Sequence, residues 1–278
     1  MIRVGASPQL FAILSGIVEE RSGLHYRLDD SQVFLDKVAD RAAEAGFDSL
    51  LDYYYYLRYD DPGGGELDAL IERLLVQETY FFRELEPVVV LLDEVIRPRL
   101  EAGERPRLWS AACSTGEEAL TAAMLLAERG WLDRVELVAS DVSRRALERA
   151  QRGVFGRRAL RGRVPSFAGR WLEGRDGEVR CDPRLIAAIE WRRVNLIDRA
   201  AIAELGAFDG ILCRNVLIYF DDRVIERVVR SLADALRPGG ALLVGASESL
   251  LRFSSSLELR ELRGAFIYVK RAEGRSAA

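Results

Sequence analysis

Three carboxylates stand beside short apolar segments of this sequence, where they could hold a ligand. Glu117 and Glu118 end the stretch "SAACSTGEE" (110–118), and Asp141 directly follows the apolar segment "VELVAS" (135–140). Carboxylates accept hydrogen bonds from hydroxyl groups and attract positive charge, but they repel phosphates. A ligand with hydroxyl groups and a cationic or zwitterionic head therefore suits these residues better than a nucleotide phosphate does.

The lysines of the chain also disfavour a phosphate ligand. Lys37 and Lys270 are the only lysines, and neither follows a glycine, so the sequence contains no GxxxxGK phosphate-binding loop. S-adenosylmethionine has the expected chemistry, because Asp141 can accept hydrogen bonds from its ribose while small residues let the backbone approach its methionine part. Two structural explanations stay open: Glu117 and Glu118 could complement a helix dipole, and Asp141 could cap the following helix.

A second polar group lies in "FDGILCRNVLIYFDD" (208–222), where an apolar strand runs into Cys-Arg-Asn and then a tyrosine. Arg214, Asn215 and Tyr219 place a cation, an amide and a phenol beyond the end of that strand. We interpret these three residues as part of a binding site.

The stretch "VQETYFFRELEP" (76–87) carries a further cation. Phe81 and Phe82 can anchor apolar surface while Thr79 and Arg83 project elsewhere. Taken alone, Arg83 would be assigned to an ordinary salt bridge between domains.

From about residue 105 onward, short apolar segments alternate with helical patterns, which is typical of an open α/β sheet. The predicted strands are 107–112, 135–140, 189–195, 208–213 and 240–246, with a closing pair at 257–262 and 265–270. The predicted helices between them are 116–129, 143–152 and 222–236, the last ended by "RPGG". Ligands bind beyond the carboxyl ends of the strands in such a sheet. The polar stretches that follow four of the strands are therefore expected to converge on one crevice.

Residues 1–75 carry only helical patterns and form a predicted all-α N-terminal domain. Its helices cover "SPQLFAILSGIVEE" behind a Ser7 cap, "DSQVFLDKVADRAAEAG", "DSLLDYYYYLRY" behind Asp48, and "ELDALIERLL" after the linker "DDPGGG". We predict a linker with a connecting helix at 76–104 and the α/β domain at 105–278. Within that domain, 153–188 interrupts the alternation as a small β-rich insertion.

Charge is unevenly distributed along the chain. Residues 1–72 hold 14 Asp and Glu against 6 Arg and Lys, whereas Arg144–Arg180 holds 11 arginines against 4 acids. The basic segment is consistent with a docking surface for an acidic partner, or with an arginine-rich solvated face. The acidic helical block and the net charge of −4 argue against nucleic-acid binding.

Histidine and cysteine are scarce in this chain of 278 residues. His25 is the single histidine, and Cys113, Cys181 and Cys213 show neither disulfide nor metal-ligand spacing, so we expect no metal site and small buried cysteines. No apolar run approaches the ~18 residues of a membrane span, and the N-terminal segment lacks a cleavage pattern. These features predict a cytoplasmic protein without membrane insertion.

In order and spacing, the motifs resemble those of the CheR family of chemotaxis-receptor methyltransferases. The family pattern N-x-T-x-F-F-R-E, S-A-A-x-S-T-G-E-E-P, A-S/T-D-I, N-L, F-D-x-I-x-C-R-N-V-x-I-Y-F-D and L-x-P-G-G-x-L with G-x-S-E is matched by "QETYFFRE", "SAACSTGEEA", "ASDV", "NL", "FDGILCRNVLIYFD" and "LRPGGALLVGASES". The likeness spans roughly residues 8–270. It implies a class I S-adenosylmethionine-dependent methyltransferase sheet of Rossmann-like type, an all-α N-terminal domain and a small inserted antiparallel β-subdomain.

The resemblance also implies roles for individual residues. Contacts with S-adenosylmethionine or its product are implied for Gln77, Thr79, Arg83, Glu118, Asp141, Asn195, Leu196, Cys213, Arg214 and Asn215. Arg83 and Tyr219 would also face the methyl-accepting group. The sequence departs from the family at Gln77, which replaces Asn and adds a methylene, at Ala119, which replaces a common Pro, and at Ala246, where many members have His.

The implied reaction transfers a methyl group to glutamate side chains on the helical bundle of a chemoreceptor, giving methyl esters and S-adenosylhomocysteine. A glutamate with a pKa of ~4.3 is already ionised at neutral pH, so no catalytic histidine is required. In some family members the β-subdomain binds a peptide at the receptor's C-terminus, and the helix face with Lys37 and Arg41 could meet an acidic receptor surface. Two rival functions are a nucleic-acid methyltransferase and a non-catalytic S-adenosylmethionine-binding module.

Overall fold

The computed structural model describes residues 7–253 and 256–271, which form two compact units. The first unit comprises the described residues up to Val76 together with Tyr219–Val224, and the second comprises Gln77–Ile218 and the chain from Ile225 onward. The short segment 219–224 was expected in the α/β domain, but it groups with the helical residues.

The first unit is built from helices. They are α1 (Pro8–Ser22), α2 (Ser31–Glu44), α3 (Leu50–Tyr55), which continues as a π-helical turn over Tyr56–Asp60, and α4 (Gly65–Leu74). Ser7 caps α1 as predicted, since its hydroxyl accepts the amide hydrogen of Leu10. The start of α3 was predicted one residue too early, because the side chain of Ser49, not that of Asp48, accepts the amide hydrogen of Asp52.

The strands of the second unit form two sheets. They are β1 (Arg107–Ala111), β2 (Glu136–Asp141), β3 (Val154–Gly156), β4 (Leu172–Arg175), β5 (Glu178–Cys181), β6 (Ile189–Arg193), β7 (Phe208–Cys213), β8 (Leu236–Val244), β9 (Leu257–Leu262) and β10 (Ala265–Lys270). The larger sheet has seven strands in the order β6-β2-β1-β7-β8-β10-β9. The pairs from β6 to β8 are parallel, whereas β10 is antiparallel to both of its neighbours. The predicted open α/β sheet with an antiparallel closing pair is therefore confirmed.

Further helices lie before and between the strands. They are α5 (Leu85–Leu91), α6 (Arg97–Glu101), α7 (Glu117–Glu128), α8 (Arg144–Arg152), α9 (Pro183–Ala187), α10 (Arg199–Glu204) and α11 (Asp222–Ala235), with a π-helical turn at Leu92–Ile96 between α5 and α6. The segment predicted as a linker with a connecting helix contributes to the core of this unit, because Leu91, Leu92 and Ile96 are fully buried in the cluster that contains Leu108. No helix in the described part of the chain is long and apolar enough to cross a membrane.

The smaller sheet is the predicted β-rich insertion. Its three antiparallel strands lie in the order β3-β5-β4. Phe155 on β3 packs edge-on against Phe81, with ring centroids 4.9 Å apart, so the insertion shares the apolar core of the second unit. The short helix α9 completes this segment and buries Leu185.

The predicted boundary at "RPGG" is wrong. Helix α11 ends at Ala235, and β8 begins immediately at Leu236 rather than at residue 240. The register against β7 shifts between Phe208 and Gly210, and Arg237 donates to the buried Asp209 carboxylate at 2.8 Å. A Cβ at Gly240 would lie 2.8 Å from the Asp209 carbonyl oxygen, so glycine permits this irregular early pairing.

Candidate active site

The carboxyl ends of the central parallel strands are where the predicted polar residues lie. Strands β2, β1, β7 and β8 are consecutive neighbours in the sheet, so the loops that follow them leave from the same edge. The loops after β1 and β7 contain residues other than glycine with positive φ, and carboxylates bond to the backbone of both loops.

The loop after β1 is tightly constrained. Ala112, Ser114 and Gly116 have φ values of 55°, 51° and 92°, in the left-handed region. Such a conformation costs a residue with a Cβ about 1–3 kcal/mol unless its surroundings fix it. At Gly116 a Cβ would lie 2.6 Å from the Cβ of Ala150, so close packing as well as φ requires glycine there.

Asp141 fixes this loop to the end of β2. Its Oδ2 accepts the amide hydrogen of Ser114 and its Oδ1 accepts that of Ser143, both at 2.8 Å. The explanation that Asp141 is the N-cap of the following helix is wrong, because the cap of α8 is Ser143, whose Oγ accepts the amide hydrogen of Ala146. Gln77 also reaches this corner and donates to the same Oγ at 3.1 Å.

Glu117 and Glu118 occupy the first turn of α7 but have different partners. Glu118 Oε1 accepts from the Ser110 hydroxyl at 2.7 Å, and its Oε2 pairs with Arg214 at 3.0 Å. Glu117 is buried and accepts from the Thr115 hydroxyl at 2.6 Å. Both carboxylates complement the helix dipole, and Glu118 also joins a network of charges.

Arg214 is the buried cation of that network, with its side chain only 2% exposed. Its guanidinium pairs with Glu118 and, at 2.9 Å, with Glu84, and it also donates to the Arg83 carbonyl at 2.9 Å. Its Nε has no hydrogen-bond partner in the described part of the chain. The Arg214 guanidinium therefore bonds mainly to other groups of the protein.

Glu248 also belongs to the site, although its motif did not predict a role for it. Its Oε2 accepts the amide hydrogens of Asn215 and Gly245, both at 2.7 Å, and its Oε1 accepts that of Leu217 at 2.8 Å. Asn215 is left-handed (φ 58°), so this carboxylate fixes the strained loop after β7. The motif G-x-S-E was the available signal, but only the fold places its acid against this loop.

The other predicted residues are placed as follows. Leu196 and Cys213 are buried, Asn195 and Thr79 are half-buried, and Asn195 Oδ1 accepts the amide hydrogen of Ile197 at 3.2 Å. Burial strongly raises the pKa of the Cys113 and Cys213 thiols, so neither is a thiolate nucleophile. Tyr219 belongs to the first unit, where its carbonyl oxygen accepts the amide hydrogen of His25 at 2.8 Å.

The first unit also contains a group of potential metal ligands that the sequence reading did not anticipate. One ligand atom each of Glu19, His25 and Asp221 lies within 4.8 Å of the others. All three residues have other contacts within this unit: His25 Nδ1 lies 3.1 Å from Glu19 Oε2, and Asp221 accepts the amide hydrogen of Val224 at 2.7 Å.

The mostly parallel sheet, the small-residue loop after β1 and the acid at the end of β2 define a class I S-adenosylmethionine-dependent methyltransferase. The family model for the CheR methyltransferase, SAM binding domain, matches residues 77–265. The chain belongs to the CheR methyltransferase family.

Three relatives cover between 74% and 94% of the chain. Chemotaxis protein methyltransferase 2 of Vibrio cholerae serotype O1 is 35% identical over 92% of this chain and 91% of its own length. Chemotaxis protein methyltransferase 1 of Pseudomonas aeruginosa is 34% identical over 74% of this chain and 78% of its own. The probable biofilm formation methyltransferase WspC of Pseudomonas putida is 34% identical over 94% of this chain but 61% of its own.

The residues of the site fit S-adenosylmethionine. The buried Oγ of Ser114, in the loop after β1, has no hydrogen-bond partner among the described residues. Near it, Asp141, Glu117 and Glu118 bring three carboxyl groups to the loop after β1 and the start of α7. A ligand with hydroxyl groups and a sulfonium cation meets both conditions, whereas a phosphate meets only the first.

Burial of Glu117 predicts a specific pH dependence of stability. Desolvation raises the pKa of its carboxyl above the ordinary value, although the Thr115 hydrogen bond opposes the shift. Since the folded pKa lies above the unfolded one, the ionised carboxylate destabilises the fold increasingly as pH rises between the two values. Glu117→Gln keeps an acceptor for Thr115 and removes the charge. We expect its Tm to exceed that of the wild type at about pH 7.5, with the difference vanishing near about pH 4.

Differential scanning calorimetry across that pH range measures the effect. Glu86→Gln, at an exposed position in α5, is the control for general loss of a carboxylate. A Tm difference for Glu117→Gln that stays constant with pH would contradict burial as its cause.

Proposed function

We propose that this methyltransferase acts on glutamate side chains of chemoreceptor cytoplasmic helices, giving glutamate methyl esters and S-adenosylhomocysteine in sensory adaptation. The names of its chemotaxis relatives support this substrate class. One structural observation carries the proposal: Arg83 has no carboxylate partner in the described part of the chain, although it stands in a turn bonded to a cluster of acids. A cation left unpaired at such a site suits an incoming carboxylate.

The acids of the second unit would hold the methyl donor. We assign ribose binding to Asp141, because two backbone amides hold its carboxylate at the carboxyl end of β2, where a ligand of such a sheet binds. Further contacts are proposed for Gln77, Thr79, Arg83, Glu118, Asn195, Leu196, Cys213 and Asn215, and for Arg214 through its backbone, since its guanidinium is engaged elsewhere. Metal ions have no part in the proposed reaction.

Arg83 and Tyr219 are the proposed catalytic residues. The Arg83 guanidinium donates to the Glu78 carbonyl oxygen at 3.2 Å and lies 5.6 Å from the centre of the Tyr80 ring, contacts that leave its charge uncompensated. We propose that it pairs with the acceptor glutamate, and that the Tyr219 hydroxyl donates a hydrogen bond that fixes the angle of the carboxylate. If the arginine bound the acceptor glutamate too strongly, it would stabilise the ground state more than the transition state. One arginine gives a pairing of moderate strength.

The chemistry needs alignment and exclusion of water more than acid–base groups. When bound, S-adenosylmethionine supplies an electrophilic methyl group on a sulfonium. The acceptor glutamate is already an anion at neutral pH, so no residue has to remove a proton. The protein's contribution is to hold the carboxylate in line and to remove its hydration shell.

Formation of a carboxyl methyl ester is the direct test of the function. The purified chain is incubated with tritiated methyl donor and chemoreceptor cytoplasmic fragments, and label released by base is counted. We expect base-labile label on the receptor with stoichiometric S-adenosylhomocysteine. Base-stable label on RNA would instead support a nucleic-acid methyltransferase. Cofactor binding without turnover of any receptor fragment would support a non-catalytic module.

The catalytic assignment predicts a split between transfer and cofactor binding. Arg83→Ala and Tyr219→Phe should each lower kcat by roughly 100-fold, because the acceptor is misaligned, while the Kd for S-adenosylhomocysteine changes far less, by about tenfold at most. Kinetics give the first quantity and isothermal titration calorimetry the second. The control is Tyr59→Phe, at an exposed tyrosine of the first unit. Wild-type kcat in either variant would remove that residue from the catalytic pair.

We further propose that an acidic receptor segment docks on a basic face formed by α8 and the start of the insertion. Five exposed arginines there form no ion pair within the described residues: Arg144, Arg152, Arg157, Arg158 and Arg163. Later arginines of the insertion do have partners, as with Arg175 and Asp176 or Arg180 and Glu178. Although Arg161 pairs with Glu78, residues 144–163 therefore carry an excess of positive charge that can attract an anionic partner.

Charge reversal on this basic face tests the docking proposal. The double variant Arg152→Glu/Arg158→Glu should raise KM for the receptor about tenfold at low salt with kcat unchanged, because it repels the acidic partner. The difference should shrink as salt is added. Arg175→Glu, at an exposed but ion-paired arginine, is the control. Equal KM values for the double variant and the wild type at low salt would contradict docking here.

A further inference from the structure

The turn that carries Arg83 is strained on both sides of that residue. Phe82 (φ 64°) and Glu84 (φ 44°) are both left-handed, although each has a Cβ. Non-glycine residues adopt this conformation only where surrounding interactions impose it. The interactions that hold the turn therefore decide where the Arg83 side chain points.

One side of the turn is held by neutral contacts. The Phe82 amide donates to Thr121 Oγ1 at 3.1 Å, and the Phe81 amide donates to the Ala159 carbonyl oxygen at 2.9 Å. The ring of Phe81 is fully buried and that of Phe82 nearly so. These contacts anchor the residues before Arg83 but not those after it.

The other side is held by charge. Arg214 Nη2 donates to the carbonyl oxygens of Arg83 at 2.9 Å and Glu84 at 3.4 Å, and it pairs with the Glu84 carboxylate at 2.9 Å. Arg214 Nη1 pairs with Glu118 on α7 at 3.0 Å. Glu84 Oε2 also accepts the amide hydrogen of Ala246 at 3.3 Å. Thus Glu84 and Arg214 connect the turn to α7 and to the end of β8.

We infer that Glu84 and Arg214 are positioning residues for methyl transfer, which hold the strained turn so that Arg83 meets the acceptor carboxylate. The inference rests on the proposed role of Arg83. In this inference, the Arg214 guanidinium holds the backbone of the turn and two carboxylates rather than a ligand. Glu84 has a role that the motif F-F-R-E does not reveal. Both residues act through Arg83, so their effects on catalysis depend on that side chain.

A double-mutant cycle tests this dependence. Glu84→Gln keeps the shape of the side chain and weakens its bond to Arg214, so kcat for receptor methylation should fall on the order of 100-fold through misplacement of Arg83. In the Arg83→Ala background the same change should lower kcat less than about twofold, because no side chain remains to be positioned. Glu84→Gln should change the Kd for S-adenosylhomocysteine less than about threefold in either background. Glu86→Gln, two residues further on and exposed, is the matched control.

Amide hydrogen exchange gives a readout that needs no substrate. In Glu84→Gln, exchange in a peptide spanning residues 80–86 should accelerate about tenfold while the peptides of β1 and β7 stay protected. Arg214→Lys is the second variant, since a lysine cannot bridge two carboxylates and two carbonyl groups with one rigid fork, and it should show the same local effect. Glu86→Gln should exchange like the wild type.

The outcomes separate the two proposals. Unchanged exchange in both variants, or kcat losses that multiply in the double variant, would overturn the positioning role. A loss of cofactor affinity with unchanged kcat would also overturn it, because the cluster would then serve the donor. If the wild type methylates no receptor glutamate, the proposed function fails, and the exchange experiment still decides whether Glu84 and Arg214 hold the turn.

Discussion

The buried guanidinium of Arg214 is the interaction on which the candidate active site depends. It pairs with Glu84 and Glu118 and donates to the backbone of the turn at Arg83, so one side chain joins three segments that are far apart in sequence. Breaking a buried ion pair by removing one partner typically costs about 3–5 kcal/mol, since the other charge is left uncompensated. The geometry of the site and the stability of the second unit are therefore linked through this residue.

The two arginines of the site differ in whether a carboxylate neutralises them. Arg214 faces two carboxylates and is neutralised by them, while Arg83 has no carboxylate partner in residues 7–253 or 256–271. Glu117 and Asp141 bring two further carboxyl groups to the loop after β1. In the proposed reaction, these acids would attract the cationic donor more than its neutral product, and Arg83 would meet the anionic acceptor. One site can thus favour opposite charges on its two reactants.

The sequence predicted the sheet and the loops of the site better than the bonds within them. The apolar segments at β1, β2 and β7 gave the strands, and the polar motifs after them do lie at one sheet edge, because parallel strands bring their carboxyl ends together. The roles of Glu84 and Glu248 could not be read in the same way. Arg214 and Glu84 are 130 positions apart, and local patterns do not specify which donor a carboxylate meets across such a distance. The structure also decides between the two explanations left open at Asp141, since Ser143, two residues later and an equally good cap by residue type, caps α8.

Carboxylates and strained turns occur together at this site for a physical reason. Among the described residues, seven non-glycine residues have positive φ, and two of them, Asp176 and Arg263, precede glycines in hairpin turns. The other five lie in the loops of the site: Phe82, Glu84, Ala112, Ser114 and Asn215. Asp141 accepts an amide hydrogen from the loop after β1, and Glu248 accepts amide hydrogens from the loop after β7. Glu84 pairs with Arg214, which donates to the carbonyl oxygens of the turn at Arg83. A carboxylate can accept several amide hydrogens at once, so it fixes a strained backbone that no helix or sheet would support. The negative charge that suits a sulfonium is then partly a consequence of how the loops are held, and substitutions that relax a loop also change the charge of the pocket.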